Sequence, residues 1–167
     1  MSASRRHRMG LTLVEGAVCT VVVGLMLAAA LNASAVARAR QQHNQDRSTG
    51  MWLAQELMAE ILRQPYVDVG GLLGLELGET HARRETLNDL DDYDGLKESP
   101  PRRPDGSIIP GFTNWSRSVT VENVNPANLR VRSTSETNIR RVIVTVRKNG
   151  VIVAQLRALR SKARDAW

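Results

Sequence analysis

Glu15 is an ionisable residue at the edge of an apolar segment, a position that calls for a chemical explanation. Directly behind it, Gly16 to Ala37 form a run of 22 uncharged residues. A charge at membrane depth is costly and usually serves a function. A carboxylate in such a medium stays ionised only where it meets a cation. Glu15 is therefore our first candidate functional residue, and its expected partner is a positive charge.

The apolar segment has the length and composition of a membrane span. As a helix it would extend roughly 33 Å, which is enough to cross a hydrocarbon core. A basic cluster of Arg5, Arg6 and Arg8 precedes it. The positive-inside bias therefore predicts a cytoplasmic N-terminus and export of the remaining chain.

The junction between the basic cluster and the span carries a recognisable order of residues: Gly10, Leu11, Thr12, Leu13, Val14 and Glu15. This order resembles the prepilin N-terminus of type IV pilins and type II secretion pseudopilins. The resemblance implies that a prepilin peptidase cleaves between Gly10 and Leu11 and methylates the new amine of Leu11. It also implies that Glu15 meets the N-terminal amine of a neighbouring subunit and so sets subunit register. Two residues depart from the usual pattern, since Leu11 stands where Phe is commoner and Gly16 where a bulky apolar residue is usual.

The same resemblance implies a location and a set of partners. The chain would be a single-pass protein of the bacterial inner (cytoplasmic) membrane, with its C-terminal head outside, and would enter a filament after assembly. Its partners would be the prepilin peptidase, other pilin or pseudopilin subunits, an inner-membrane assembly platform and the lipid bilayer. The alternatives are an ordinary signal peptide, cut at Ala33–Ala35 or Ala35–Ala37, and a plain signal anchor.

The net charge of +6 owes much to the leader, residues 1–10, whose removal lowers it to about +3. The remaining basic residues concentrate late in the chain. We interpret them as a solvated face on strands, and nucleic acid is an unlikely partner. The alternative is a competence-type pilin-like protein whose basic head binds DNA or an envelope polymer. These residues are Arg130, Arg132, Arg140, Arg141, Arg147, Lys148, Arg157, Arg160, Lys162 and Arg164.

One long helix is predicted over residues 11–64, with its transmembrane part at about 11–37. Apolar residues return at helical spacing from Trp52 to Leu62, and Pro65 ends the pattern. A split into two helices near Ser48–Gly50 is the alternative. The stretch 53–66 also resembles minor pilins of the PilV/MshD type and I-type minor pseudopilins. Glu56 and Glu60 are expected on the solvated side of this helix.

Residues 65–117 are predicted to be loop-rich because glycines and prolines punctuate them. Four carboxylates cluster at 89–94, where oxygen ligands could hold calcium, although the spacing does not fit an EF-hand loop. We favour a loop that orders the head or contacts a neighbour, and the calcium alternative stays open. The carboxylates are those of Asp89, Asp91, Asp92 and Asp94. Phe112 and Trp115 are expected to pack this region onto the sheet.

Residues 118–167 are predicted to form an antiparallel sheet in a head domain. Strands are expected at 118–124, 129–133, 140–147 and 151–156, with a turn at 125–128 and a hairpin turn at Asn149-Gly150. The fold class is therefore α+β, and the resemblance to pilins implies that the long N-terminal helix packs against the C-terminal sheet. The single cysteine, Cys19, lies in the apolar segment, so we expect a small packing residue and no intrachain disulfide.

No combination of residues in the sequence predicts catalysis. His7, His43 and His81 lack metal-ligand spacing, and neither a phosphate-binding loop nor a nucleophile elbow is present. We therefore expect no enzymatic activity, no cofactor and no bound metal.

Overall fold

The computed structural model describes residues 12–66 and 80–163. The chain has the predicted α+β layout, with one long helix followed by an antiparallel sheet. Its contacts divide it after Asn44 into two units, and we call the second one, from Gln45 onward, the head unit. The elements are α1 (Leu13–Ile61), β1 (Lys97–Glu98), β2 (Trp115–Asn125), β3 (Asn128–Arg132), β4 (Ile139–Lys148) and β5 (Val151–Ser161), with 3-10 helices at Arg84–Thr86 and Asp91–Tyr93.

Helix α1 is continuous through Ser48–Gly50, so the alternative of two helices is wrong. It lies within the expected range 11–64 and ends at Ile61, four residues before Pro65. In its first part, large apolar side chains from Leu13 to Val36 are exposed. Of the described residues, α1 alone is long and apolar enough to cross a membrane.

The last part of α1 belongs to the head unit and buries one face against the sheet. The buried residues recur every three or four positions, which is the spacing of a single helix face. They are Gly50, Leu53, Ala54, Leu57, Met58 and Ile61. They join the core with inward residues of the sheet, including Trp115, Val142, Val144 and Val146.

The sheet runs in the order β1-β2-β4-β5, with β3 paired to the far end of β2. All pairings are antiparallel. The predicted hairpin at Asn149-Gly150 is confirmed, and both residues adopt the positive φ (51° and 80°) that such a turn requires. Two expectations need correction. Strand β5 continues to Ser161, beyond its expected end at residue 156, and β1 is a fifth strand within residues 65–117, which were expected to be loop-rich.

Gly50 is a point of close approach between α1 and the sheet. A Cβ atom placed there would lie 2.8 Å from Val153 Cγ2 and 3.2 Å from Ala154 Cβ. A helix break near this glycine was the alternative interpretation of the sequence, whereas its structural role is to admit β5 against the helix backbone.

We predict that Gly50→Val destabilises the head unit by about 1–3 kcal/mol, the usual cost of overpacking a core. Ser48→Val is the matched control, since Ser48 is exposed on the same helix. Denaturant unfolding of the full chain in detergent, followed by tryptophan fluorescence, measures both variants. Equal stability of the two variants would contradict this packing account.

Candidate assembly site

The predicted processing residues lie outside the described part of the chain. These are Gly10 and Leu11, together with the leader arginines Arg5, Arg6 and Arg8. The described part of the motif starts at Thr12 and includes Glu15, so the geometry of the candidate site begins there.

Thr12 and Glu15 face each other across the first turn of α1. The Glu15 N–H donates to Thr12 Oγ1 at 3.3 Å, and the Thr12 N–H lies 3.5 Å from Glu15 Oε2. This reciprocal pattern is a capping box, which satisfies amide groups that a helix start leaves without partners. Thr-x-x-Glu is readable in the sequence, but the capping role was not among our expectations. Glu15 therefore has a local function in addition to the one expected of it.

The Glu15 side chain is exposed, and among the described residues it forms no salt bridge. Beside it, an open apolar groove of about 370 Å³ runs along the helix. It is lined by Leu13, Val14, Ala17, Val18, Val21 and Val22. The start of α1 thus combines an acidic group with a continuous apolar surface, a combination suited to a partner that is both apolar and cationic. Cys19 is exposed on the same helix.

In the head unit, Glu56 and Glu60 are not solvated helix residues, contrary to our expectation. The Glu56 carboxylate pairs with Arg117 of β2 at 2.8 Å. Glu60 binds Arg84 through two hydrogen bonds, of 2.9 and 2.5 Å, and accepts a third from the Tyr93 hydroxyl at 3.0 Å. Helical spacing alone does not show which polar face meets arginines distant in sequence, so the role of these two carboxylates was missed.

Glu98 of β1 joins the two arginines into one buried network. Its carboxylate pairs with both Arg84 and Arg117, and it accepts the Arg102 N–H at 3.2 Å. Arg117 also donates to the backbone carbonyls of Leu53, at 3.2 Å, and of Arg102. Burial alone would lower the pKa of Arg84, but Glu98 and Glu60 outweigh it and raise that pKa. The network thus holds residues 84–102 against both α1 and strand β2 of the sheet.

Another buried arginine, Arg140 of β4, holds the chain just beyond α1. It donates to the Tyr66 carbonyl at 2.8 Å, pairs with Asp91 and Glu136, and lies 4.4 Å from the Tyr66 ring centre. Burial raises the pKa of Glu136, but hydrogen bonds from Tyr66 and the Asn138 N–H, with the charge of Arg140, lower it overall.

The carboxylates of residues 89–94 are engaged within the head unit. Asp89 and Asp92 each accept two backbone N–H groups of the same loop, at 2.8 to 3.2 Å. Asp91 binds Arg140, and Asp94 accepts the Val121 N–H of β2 at 2.8 Å. In the part of the chain that the structure describes, no group of acidic, histidine or cysteine side chains is arranged to hold a metal ion. These contacts are those of a loop that orders the head.

The late basic residues do not form one solvated face, so that expectation is wrong in part. Arg140 and Arg160 are buried, and Arg141 pairs with Glu122. Lys148 binds Asp46 of α1 at 2.8 Å. Arg130, Arg132 and other residues of β3 are exposed.

As expected, the aromatic residues pack against the head unit: Phe112 stacks on Trp52 and meets Trp115, which is buried at the start of β2.

The comparisons with known proteins neither support nor contradict the resemblance to pilins. The chain matches no protein-family model, no curated protein and no solved structure. The fold described above therefore rests on the structure, and the resemblance to pilins rests on the sequence of residues 10–15, the apolar helix behind them and the stretch 53–66.

We predict that neither of the two tyrosines ionises at its ordinary pKa of about 10 in the folded chain. Burial, followed by the nearby Glu60 charge, raises the pKa of Tyr93 to about 12. Burial and its hydrogen bond to Glu136 raise the pKa of Tyr66 further. Because these folded pKa values are raised, their contribution to stability is complete below pH 10 and is lost as the pH rises through 12.

Phenolate absorbance against pH tests this, measured on the full chain in detergent with and without denaturant. The chain has two tyrosines, so Tyr93→Phe isolates the signal of Tyr66. A folded chain in which either tyrosine titrates near pH 10 would show that these hydroxyls are not buried as described.

Proposed function

We propose that this protein is a minor pilin or pseudopilin, a structural subunit of a type II secretion or type IV pilus-like filament. The observation that carries the proposal is the junction of Gly10-Leu11-Thr12-Leu13-Val14-Glu15 with an exposed apolar helix. The head unit that follows supports the proposal, since a sheet packed on the last turns of one long helix is the layout that the resemblance implies.

The proposed mechanism is mechanical. The prepilin peptidase cleaves after Gly10 and leaves an ammonium group on Leu11. The apolar helices hold the subunit in the inner membrane and then bundle in the filament core. During this transfer, Glu15 of one subunit pairs with the amine of the next, which lowers the cost of burying either charge. The contact of the Thr12 backbone N–H with Glu15 Oε2 supports this role, because it holds the carboxylate at the start of α1 before a neighbour arrives.

A head that binds DNA is the less supported alternative. Arginines at the protein surface supply most of the affinity for nucleic acid. Here Arg84, Arg117 and Arg140 are buried in ion pairs with carboxylates of the head unit. Carboxylates of the head unit neutralise these charges, so the three arginines add little to the positive surface potential that would attract DNA.

We expect processing to be directed by Gly10. Co-expressed with a prepilin peptidase, the chain should lose residues 1–10 and gain one methyl group, as read by intact mass spectrometry of the membrane fraction. Gly10→Val should keep its full length. Cleavage after Ala35 or Ala37 would instead support the signal-peptide alternative, and a wild-type chain that keeps residues 1–10 would support the signal anchor.

We expect Glu15→Ala to be processed normally but to be excluded from assemblies, because the neighbour's ammonium then lacks its counter-charge. The measurement is a competition in which differently tagged wild-type and variant chains are expressed together. Their ratio in purified assemblies is compared with their ratio in the membrane pool.

Thr12→Ala is the matched control, since it removes the capping hydroxyl and retains the carboxylate. It should enter assemblies close to the wild-type ratio. If Thr12→Ala were excluded as strongly as Glu15→Ala, helix capping would explain the phenotype, and the inter-subunit ion pair would be rejected.

A further inference from the structure

Two arginines, Arg38 and Arg40, follow the apolar part of α1 in a stretch of the sequence without acidic residues. Between Glu15 and Asp46 the chain contains no acidic residue. Asp46 itself is bound to Lys148 at 2.8 Å. Both arginines are exposed, and among the described residues neither guanidinium takes part in a salt bridge or a side-chain hydrogen bond. They differ in this from Arg84, Arg117 and Arg140.

Their position along the helix places these arginines at a definite depth. Residues 16–37 rise roughly 33 Å as a helix, close to the thickness of a hydrocarbon core. If that segment spans the bilayer, Arg38 and Arg40 follow within about 5 Å of its end, in the headgroup layer. The flexible stem of an arginine also lets its charged group reach the phosphate level.

The two side chains leave the helix on different sides. Successive residues turn by about 100°, so residues two apart diverge by about 200° around the axis. One phosphate therefore cannot bridge both arginines. Each guanidinium can instead bind its own phosphate through two parallel hydrogen bonds.

We propose that Arg38 and Arg40 are a binding site for anionic phospholipid headgroups, which they hold on opposite sides of α1 where the helix leaves the bilayer. This inference rests on the membrane-spanning part of the proposed function, but not on filament assembly. It gives the exposed arginines a partner of matching charge and geometry at the depth where they occur. Acidic side chains of another subunit are the competing partners.

The test measures which phospholipids the full-length chain retains. Wild-type protein is reconstituted into vesicles of equal parts anionic and zwitterionic phospholipid and extracted in mild detergent. The ratio of the two lipids bound per protein is then determined by mass spectrometry. Each arginine should raise the anionic preference about fivefold, equivalent to about 1 kcal/mol for one basic residue near an anionic surface.

Arg38→Gln with Arg40→Gln should lower the anionic preference by more than tenfold. Arg83→Gln with Arg157→Gln is the matched control, because both residues are exposed in the head unit and the change in net charge is the same. The control should keep the wild-type lipid ratio. The leader arginines are common to all these chains and cancel in the comparison.

An equal loss in the control pair, or an unchanged ratio in the Arg38/Arg40 pair, overturns the lipid site. If the Arg38/Arg40 pair keeps the wild-type lipid ratio but loses co-purifying partner subunits, the arginines bind protein and the proposal is likewise wrong. Failure of the wild-type chain to enter vesicles at all would count against the membrane span itself, an outcome separate from the other two.

Discussion

The head unit depends on the buried guanidinium of Arg117. An arginine has five N–H donors, and Arg117 makes four hydrogen bonds with them. Its Nε donates to Glu98, its Nη1 to Glu56 and the Leu53 carbonyl of α1, and its Nη2 to the Arg102 carbonyl. Nη2 also lies 2.8 Å from the Glu98 carboxylate in an ion pair. Helix, sheet and connecting segment thus meet at one planar group. A lysine, with a single ammonium and no fork, could not replace it.

This arrangement helps to hold residues 80–114, which contain little regular structure. Their regular elements are two 3-10 helices and the two-residue strand β1. Arg84, Arg117 and Arg140 add contacts through carboxylates and carbonyls, beside the apolar packing of Leu87, Leu90 and Leu96 in the core. A buried ion pair adds little net stability compared with an apolar pair of the same shape, but removing one partner costs about 3–5 kcal/mol. The network therefore selects one arrangement of the segment more than it strengthens the fold.

The sequence predicts elements that depend on neighbouring residues, but it does not predict contacts between residues far apart in the chain. The Asn149-Gly150 hairpin, the alternation in β2 and the periodicity of α1 each depend on neighbours within a few residues, and each was predictable. Glu98 meets Arg117 across 19 positions and Arg84 across 14, and no local pattern pairs them. A break near Gly50 stayed an alternative because the sequence does not show which strand a helix glycine packs against. At the candidate assembly site, Thr12-x-x-Glu15 was readable as a cap, whereas the partner that we propose for Glu15 belongs to another chain.

The head unit is stabilised without disulfide bonds. Cys19 is the sole cysteine and lies in the apolar part of α1, so apolar packing and arginine–carboxylate contacts do the work that disulfides do in many small exported domains. Its folding accordingly needs no oxidant and no disulfide isomerase. The folded head should be indifferent to the thiol–disulfide balance of its surroundings, and equally well formed in an oxidising or a reducing compartment.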